Sequence, residues 1–282
     1  MIRPRELSST LTLFSARTPT LLPATHTNSY ALGGRDVLLV EPATPYEDEQ
    51  HAWIAWAREI GSSGRRILAI VATHHHPDHV GGAALLSKEL GLPVWAHELT
   101  ATRIDVPVAR RLVDGEEIVL AGLRDETWQV LHTPGHAPGH VCLFETRTRT
   151  AIVGDMVASV GTILIAPGDG DMALYLEQLE RLAALDASLA LPSHGEPIDE
   201  PTALFTRYVA HRTMRERKIL DALASTDDGG STAAELVPMV YEDVSPAIWP
   251  IAKLSVDAHL EKLEREGRIA RTGRADQFRV VR

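Results

Sequence analysis

Four metal-ligand side chains stand within six positions in the stretch Thr73 to His79, THHHPDH. A short apolar strand is predicted to end at Ala72. His74 and His76, two residues apart, then direct both imidazoles to one side while the strand geometry persists. Pro77 turns the chain and sets Asp78 and His79 just ahead of the next helix. His74, His76, Asp78 and His79 can in this way converge on two adjacent cations. Neutral imidazole and carboxylate suit zinc, and iron or manganese as well. Three later positions add to the set. His136 lies in HTPGHAPGH, where Pro134, Gly135 and Gly139 permit a tight loop that aims one imidazole inward. Asp155 follows the apolar run AIVG, where its carboxylate can bridge two metals, and His194 follows a predicted strand in LPSHGEP. Singly, each is an ordinary polar residue; as a series they make a seven-residue ligand set.

The elements that must position these residues alternate between strand and helix. Asp36 to Val40 and Arg66 to Ala72 are short apolar runs of the kind that form buried strands. Glu47 to Ile60 has a helical pattern closed by Gly61, and Val80 to Leu90 is a second helix stopped by Gly91 and Pro93. Strands fit Trp128 to His132, Val141 to Glu145 and Thr150 to Val153. Asp171 to Leu185 is an amphipathic helix with Leu174, Leu179 and Leu182 among its apolar positions. This alternation predicts an α/β sandwich. After residue 202 the pattern becomes helical: Phe205 to Ala224, a short helix capped by Ser231 and running to Tyr241, and Ile248 to Glu266. A hairpin around Thr272–Asp276 follows, which is the winged-helix order.

The charge changes at the same place. The chain has 282 residues and a net charge of −10. Residues 1–202 carry 15 Lys and Arg against 26 Asp and Glu, whereas residues 203–282 carry 13 against 12. With the proline-bearing connector Glu196 to Thr202, this divides the chain into domains 1–202 and 203–282. The acidic balance argues against a nucleic-acid coat protein. A lone cysteine, Cys142, excludes an internal disulfide and reads as a core residue of an apolar strand. No run approaches the roughly 18–20 apolar residues of a membrane span. Glu6 and repeated Ser and Thr interrupt any signal-peptide core, so no membrane partner and a cytoplasmic location are expected.

The series HxHxDH, TPGH, GD and SHG resembles the metallo-β-lactamase superfamily in its di-metal hydrolase branch, over roughly residues 10–200. The resemblance implies a four-layer αββα sandwich with the metals at one edge. It places His74, His76 and His136 on one metal and Asp78, His79 and His194 on the other, with Asp155 bridging. Tyr208 to Leu223 and Ala258 to Ile269 are similar to lactamase-β-like proteins with a C-terminal winged-helix domain, and THTNSY (Thr25 to Tyr30) matches that subgroup's early strand near the site. Two positions depart from the pattern. Ser193 replaces the usual glycine before His194, with a narrower pocket as the expected consequence, and Ala137 and Pro138 follow TPGH.

The resemblance implies a hydrolase with two zinc ions, iron or manganese being alternatives. The cations would acidify a bridging water into the attacking hydroxide. Asp78 and Asp155 take the catalytic roles: Asp155 spaces the metals and accepts a hydrogen bond from the nucleophile, and Asp78 moves protons. The expected partner is a small-molecule ester, thioester or lactone. A single-strand-specific endoribonuclease is the alternative, supported by the winged domain and by Arg268, Arg271, Arg274, Arg279 and Arg282. A β-lactamase is disfavoured because the main secreted class carries cysteine where Asp155 stands, and a non-enzymatic DNA-binding or dimerisation module is a lesser reading. The winged domain itself is expected to act as a lid and oligomer contact, giving a homodimer. Among the other histidines, His75 faces away, His97 starts a surface helix, and His132 and His140 are expected to support the His136 loop by hydrogen bonds. Trp128 and Tyr175 are packing residues.

Overall fold

Strand Asp36–Val40 is buried on both faces, and its alternation shows why it reads as one apolar run. Val37 and Leu39 join a cluster with helical tryptophans, while Leu38 and Val40 join a cluster shared by two sheets. The computed structural model describes residues 3–226, 230–273 and 276–281. They divide into two compact units: residues 3–133, 137–162 and 186–201 form the first, and 134–136, 163–185 and 202–281 the second.

In the first unit, a seven-stranded sheet runs in chain order through β1 (Arg5–Ser8), β2 (Leu11–Arg17), β3 (His26–Leu32), β4 (Asp36–Val40), β5 (Arg66–Val71), β6 (Val94–His97) and β7 (Val108–Leu112). A five-stranded sheet has the order β12-β11-β10-β9-β8, from β8 (Glu117–Leu120), β9 (Glu126–His132), β10 (Val141–Glu145), β11 (Thr150–Gly154) and β12 (Leu189–Pro192). Leu13, Tyr30, Leu38 and Val71 of the first sheet pack with Trp128, Val130, Leu143 and Ile152 of the second. On the other face of the first sheet, α1 (Glu47–Ser62) lays Trp53, Trp56 and Ile60 on Phe14, Val37, Leu39 and Ile70. β4 and β5 are parallel, as are β11 and β12. Parallel strands end at the same edge, so residues 41, 73–79, 155 and 193–195 leave their sheets as strand-end loops.

The predicted helix over Val80 to Leu90 is two helices, α2 (Pro77–Val80) and α3 (Ala83–Leu90). The break falls at Gly81-Gly82, where the Gly82 amide donates to Pro42 O (2.9 Å) instead of continuing the helix. A further short helix, α4 (Glu98–Ala101), starts at His97, whose Nδ1 accepts from the Leu99 amide, as the sequence suggested.

The second unit contains α5 (Met172–Ala184), α6 (Pro201–Ser225), α7 (Ala233–Val240) and α8 (Trp249–Arg265), with β13 (Ser231–Thr232), β14 (Ile269–Arg271) and β15 (Gln277–Val280) forming a sheet in the order β13-β15-β14. Ile219, Leu236, Val256, Leu260 and Phe278 are among its core residues. Thr232, and not Ser231, caps α7: its hydroxyl accepts from the Glu235 amide while Glu235 accepts in return from the Thr232 amide. Ser231 is occupied in the sheet, opposite Phe278. Two of the tail arginines are engaged: Arg268 pairs with Glu216 and Glu266, and Arg271 with Glu264. Arg279 is exposed in β15, and Arg274 and Arg282 lie outside the described residues. No helix among the described residues is long and apolar enough to cross a membrane.

Glu216 of α6 gathers the charges of this unit. Burial alone would raise its carboxyl, but His259, Lys262 and Arg268 outweigh that and hold it at about 2. Lys262 Nζ and Arg268 Nη1 each donate to it at 2.6 Å. A depressed carboxyl stabilises the fold above its unfolded value near 4.5, and that contribution disappears as pH falls toward 2. Thermal unfolding followed from pH 6 to pH 2 should therefore show a steeper loss of stability in wild type than in Glu216→Gln. Parallel curves would contradict this account of the cluster.

Candidate metal centre

Each strand-end loop delivers its side chain with the ring or carboxyl already oriented. The chain leaves β5 at Ala72 and turns through His74 and His76 into α2, which begins at Pro77 and carries Asp78 and His79 in its single turn. His74 Nε2 and His76 Nδ1 stand 3.0 Å apart, and the His74 and His79 rings are 4.0 Å apart. His79 Nε2 faces Asp155 Oδ2 at 3.5 Å and Asp78 Oδ2 at 3.6 Å. His194 Nε2 faces Asp155 Oδ1 at 3.4 Å and Asp78 Oδ2 at 3.5 Å. Ligand atoms of Asp78, His79 and His194 lie within 4.8 Å of one another, a spacing that can hold a metal ion.

The far nitrogens of these rings are anchored. His194 Nδ1 donates to His26 O (2.9 Å), and His79 Nδ1 donates to Glu41 Oε1 (3.1 Å). Both acceptors fix the tautomer that leaves Nε2 free of a proton when a ligand is to be made. Among the described residues, buried His79 Nε2 has no partner nearer than the Asp155 and Asp78 carboxylates, and a divalent cation would satisfy it. The donor set of imidazole and carboxylate fits such an ion.

Electrostatics agree. Burial works against the ionised form of Asp155 and Asp78, yet His79 and His194 hold both carboxyls below the ordinary range. Burial likewise opposes a proton on His194, but Asp155 and Asp78 push it up to about 10. The carboxylates and imidazoles are thus mutually dependent, and a bound cation would take over the positive charge that protons supply in its absence.

The strand β3 holds the His194 loop in place. Asn28 Nδ2 donates to Pro192 O (3.0 Å) and Gly195 O (2.8 Å), its amide donates to Ser193 O (2.8 Å), and the Tyr30 hydroxyl donates to Pro192 O (2.7 Å). Behind Asp155, His140 Nε2 accepts from the Asp155 amide (3.1 Å), so its Nδ1 carries the proton and donates to Thr133 Oγ1 (2.8 Å). Gly154 permits this approach: it sits at φ +51, and a Cβ there would lie 2.4 Å from His140 Nε2. His132 stacks on His97 and donates Nε2 to Pro138 O (2.9 Å), two residues past His136, so it supports the loop as expected. His136 belongs with the second unit, where Nδ1 faces Leu164 O at 3.0 Å. Trp128, Cys142 and Tyr175 are buried.

Sequence reasoning passed over Glu41. It follows β4 as Asp155 follows β11, so an acid directly after an apolar strand was a usable signal. The residue is fully buried at φ +63, a conformation rare for a side chain of its size. Its Oε1 takes the hydroxyls of Thr73 and Ser193 as well as His79 Nδ1, the Ser193 contact being 3.2 Å. So engaged, Glu41 fixes the orientation of the Thr73, His79 and Ser193 side chains. Ser193 therefore turns its hydroxyl toward Glu41, where a narrowed pocket was expected.

Comparison with known proteins fits this geometry. The family described as the metallo-beta-lactamase superfamily matches residues 22–194, and the beta-lactamase associated winged helix domain matches residues 232–277. The Beta-lactamase-like protein 2 homolog of Drosophila melanogaster is 27% identical over 271 residues, covering 92% of this chain and 89% of that protein. The atrochrysone carboxyl ACP thioesterase of Passalora fulva is 27% identical over 268 residues, covering 89% of this chain and 74% of that protein. A crystal structure of a metallo-beta-lactamase family protein from Thermus thermophilus superimposes with a TM-score of 0.79 at 25% identity, over 98% of this chain and 100% of that one. These matches bear out the expected fold class and the winged-helix domain that follows it.

Glu41→Gln should fold yet hold zinc about 10- to 100-fold more weakly, because the amide no longer offers His79 an ionised acceptor. Glu41→Ala should lose about 1–3 kcal/mol of stability for each buried donor left unpaired. Chelator competition and thermal unfolding check the pair; wild-type zinc affinity in the glutamine variant would remove Glu41 from the site.

Proposed function

This chain belongs to the metallo-beta-lactamase superfamily, and on that premise we propose that it is a two-zinc hydrolase of small-molecule thioesters, or of esters and lactones with the same carbonyl chemistry. The observation that carries the reading is the inward-facing set of His79 Nε2, His194 Nε2 and the carboxylates of Asp78 and Asp155, packed at 3.4–3.6 Å at the strand ends. In this reading His74, His76 and His136 would hold one ion, Asp78, His79 and His194 would hold the other, and Asp155 would serve both. When bound, such ions acidify a water and draw charge from an attacked carbonyl.

The chain's own groups supply the rest. His79 and His194, anchored through Nδ1, keep their ring planes fixed toward the substrate side. Asp155 accepts a hydrogen bond from the attacking water and so aims it. Asp78 is the more open of the two acids, its side chain 16% exposed against 9% for Asp155, and it suits the exchange of protons with solvent. Cys142 is buried inside β10 and the Ser193 hydroxyl is engaged with Glu41, which favours water as the nucleophile over either side chain.

For the substrate, the thioesterase name of the Passalora fulva relative supports an acyl thioester. The ion pairs of Arg268 and Arg271 with acids of their own unit, and the acidic balance of residues 1–202, weigh against a polyanion such as RNA.

Purified from cells, the chain should contain close to two zinc ions, and His76→Ala should lose about 100-fold or more in thioester hydrolysis. Raising salt from about 50 to 200 mM should leave that rate nearly unchanged, whereas cleavage of single-stranded RNA would weaken steeply. A metal-free protein that still hydrolyses its substrate would defeat the proposal.

A further inference from the structure

We infer that the C-terminal helices α6 and α8 position the His136 imidazole, with Arg265, Asp171 and Arg212 as the positioning residues; this rests on the proposed role of His136 as a ligand. Leu164 O can only accept, so His136 Nδ1, 3.0 Å away, carries the proton, which makes Nε2 the ligating nitrogen in that reading. Two paths within the second unit fix this arrangement from different sides.

The first enters through the residue before the ring. Gly135 sits at φ +130, and a Cβ there would lie 2.3 Å from Tyr175 N and 2.4 Å from Tyr175 Cα, so the loop rests directly on the first turn of α5. The Asp171 amide donates to Gly135 O at 2.8 Å. The Asp171 carboxylate in turn caps α5, its Oδ1 accepting from the amides of Ala173 (2.9 Å) and Leu174 (3.1 Å). Both its oxygens also pair with Arg265 in the last turn of α8, at 2.6 and 2.9 Å. A planar guanidinium on one helix thus holds the cap of another, and that cap holds the loop carrying His136.

The second path enters through the acceptor of the ring. Arg212 of α6, only 2% exposed, donates Nη2 to Ile163 O, the carbonyl next to Leu164. Its guanidinium also lies 5.7 Å from the centroid of the buried Tyr175 ring. Arg212, Asp171 and Arg265 add polar contacts beside the apolar cluster that holds α6, α7 and α8 together. Their contacts converge on Gly135 and on the segment 163–164, which is a role beyond the lid and oligomer contact expected for these helices.

The test uses the full chain. Arg265 is more than half exposed in its ion pair, so Arg265→Gln should leave the fold intact. Asp171→Asn keeps an oxygen for the helix cap while losing the charge. Arg271→Gln, which removes the pair with Glu264, is the control. Without added metal, amide exchange at Asp171 should accelerate about tenfold in Arg265→Gln and stay at the wild-type rate in Arg271→Gln. In zinc titration against a chelator, Arg265→Gln and Asp171→Asn should weaken one of two ions about tenfold and leave the other unchanged. The inference is overturned if zinc affinity stays at the wild-type level in both variants, whether or not exchange changes, or if Arg271→Gln behaves like them. If the wild-type chain takes up no second ion, the ligand reading of His136 fails instead. Exchange at Asp171, with the ring-nitrogen chemical shifts of His136, then decides the positioning alone.

Discussion

Keeping Asp78 and Asp155 ionised within 4 Å of two imidazoles, largely out of water, is the constraint on which the rest of this site depends. An isolated buried carboxylate is prohibitively unfavourable, and two close together are worse unless positive charge lies between them. His79 and His194 provide that charge in the protein alone, and each can do so only because its second nitrogen is held, by Glu41 in one case and by His26 O in the other. The same arrangement predisposes the cluster to exchange protons for divalent cations, which are the stronger source of positive charge.

The architecture serves that constraint. Pairs of parallel strands end at common edges, so Glu41 and the THHHPDH loop follow β4 and β5, while Asp155 and His194 follow β11 and β12. Local conformations that cost free energy gather at those ends. Glu41 accepts a left-handed backbone to place its carboxyl under His79, and Gly154 admits His140 to the Asp155 amide. The apolar clusters on both faces of β4 and β5 supply the rigidity that maintains these geometries.

Much of this was legible in residue types and spacing. The His and Asp series at the strand ends, the buried strands around residues 36–40 and 66–72, and the three C-terminal helices with their hairpin all carry strong local patterns. Edge and short strands do not: β1, β6, β7 and β8 have few residues and mixed polarity, and they are strands because their neighbours pair with them. The helix after Pro77 looked continuous because Val80, Ala83, Leu86 and Leu90 fall on one helical stripe; the tertiary bond from Gly82 to Pro42 interrupts it. Ser231 and Thr232 are both capping types, and only the pairing of Ser231 with β15 decides between them. Glu41 stayed hidden because its partners Thr73, His79 and Ser193 are between 32 and 152 residues away. The association of residues 134–136 and 163–185 with the C-terminal helices is of the same kind, a product of long-range contact that no local pattern records.

The central claim, that buried charge at the strand ends exists to hold two cations, is tested most directly by anomalous diffraction at the zinc edge from crystals of the zinc-loaded chain. The account predicts two peaks, one bounded by Asp78, His79 and His194 and one by His74 and His76, with Asp155 between them and Glu41 outside both. A zinc-loaded crystal with no peak, with a single peak, or with Glu41 as a direct ligand would contradict it.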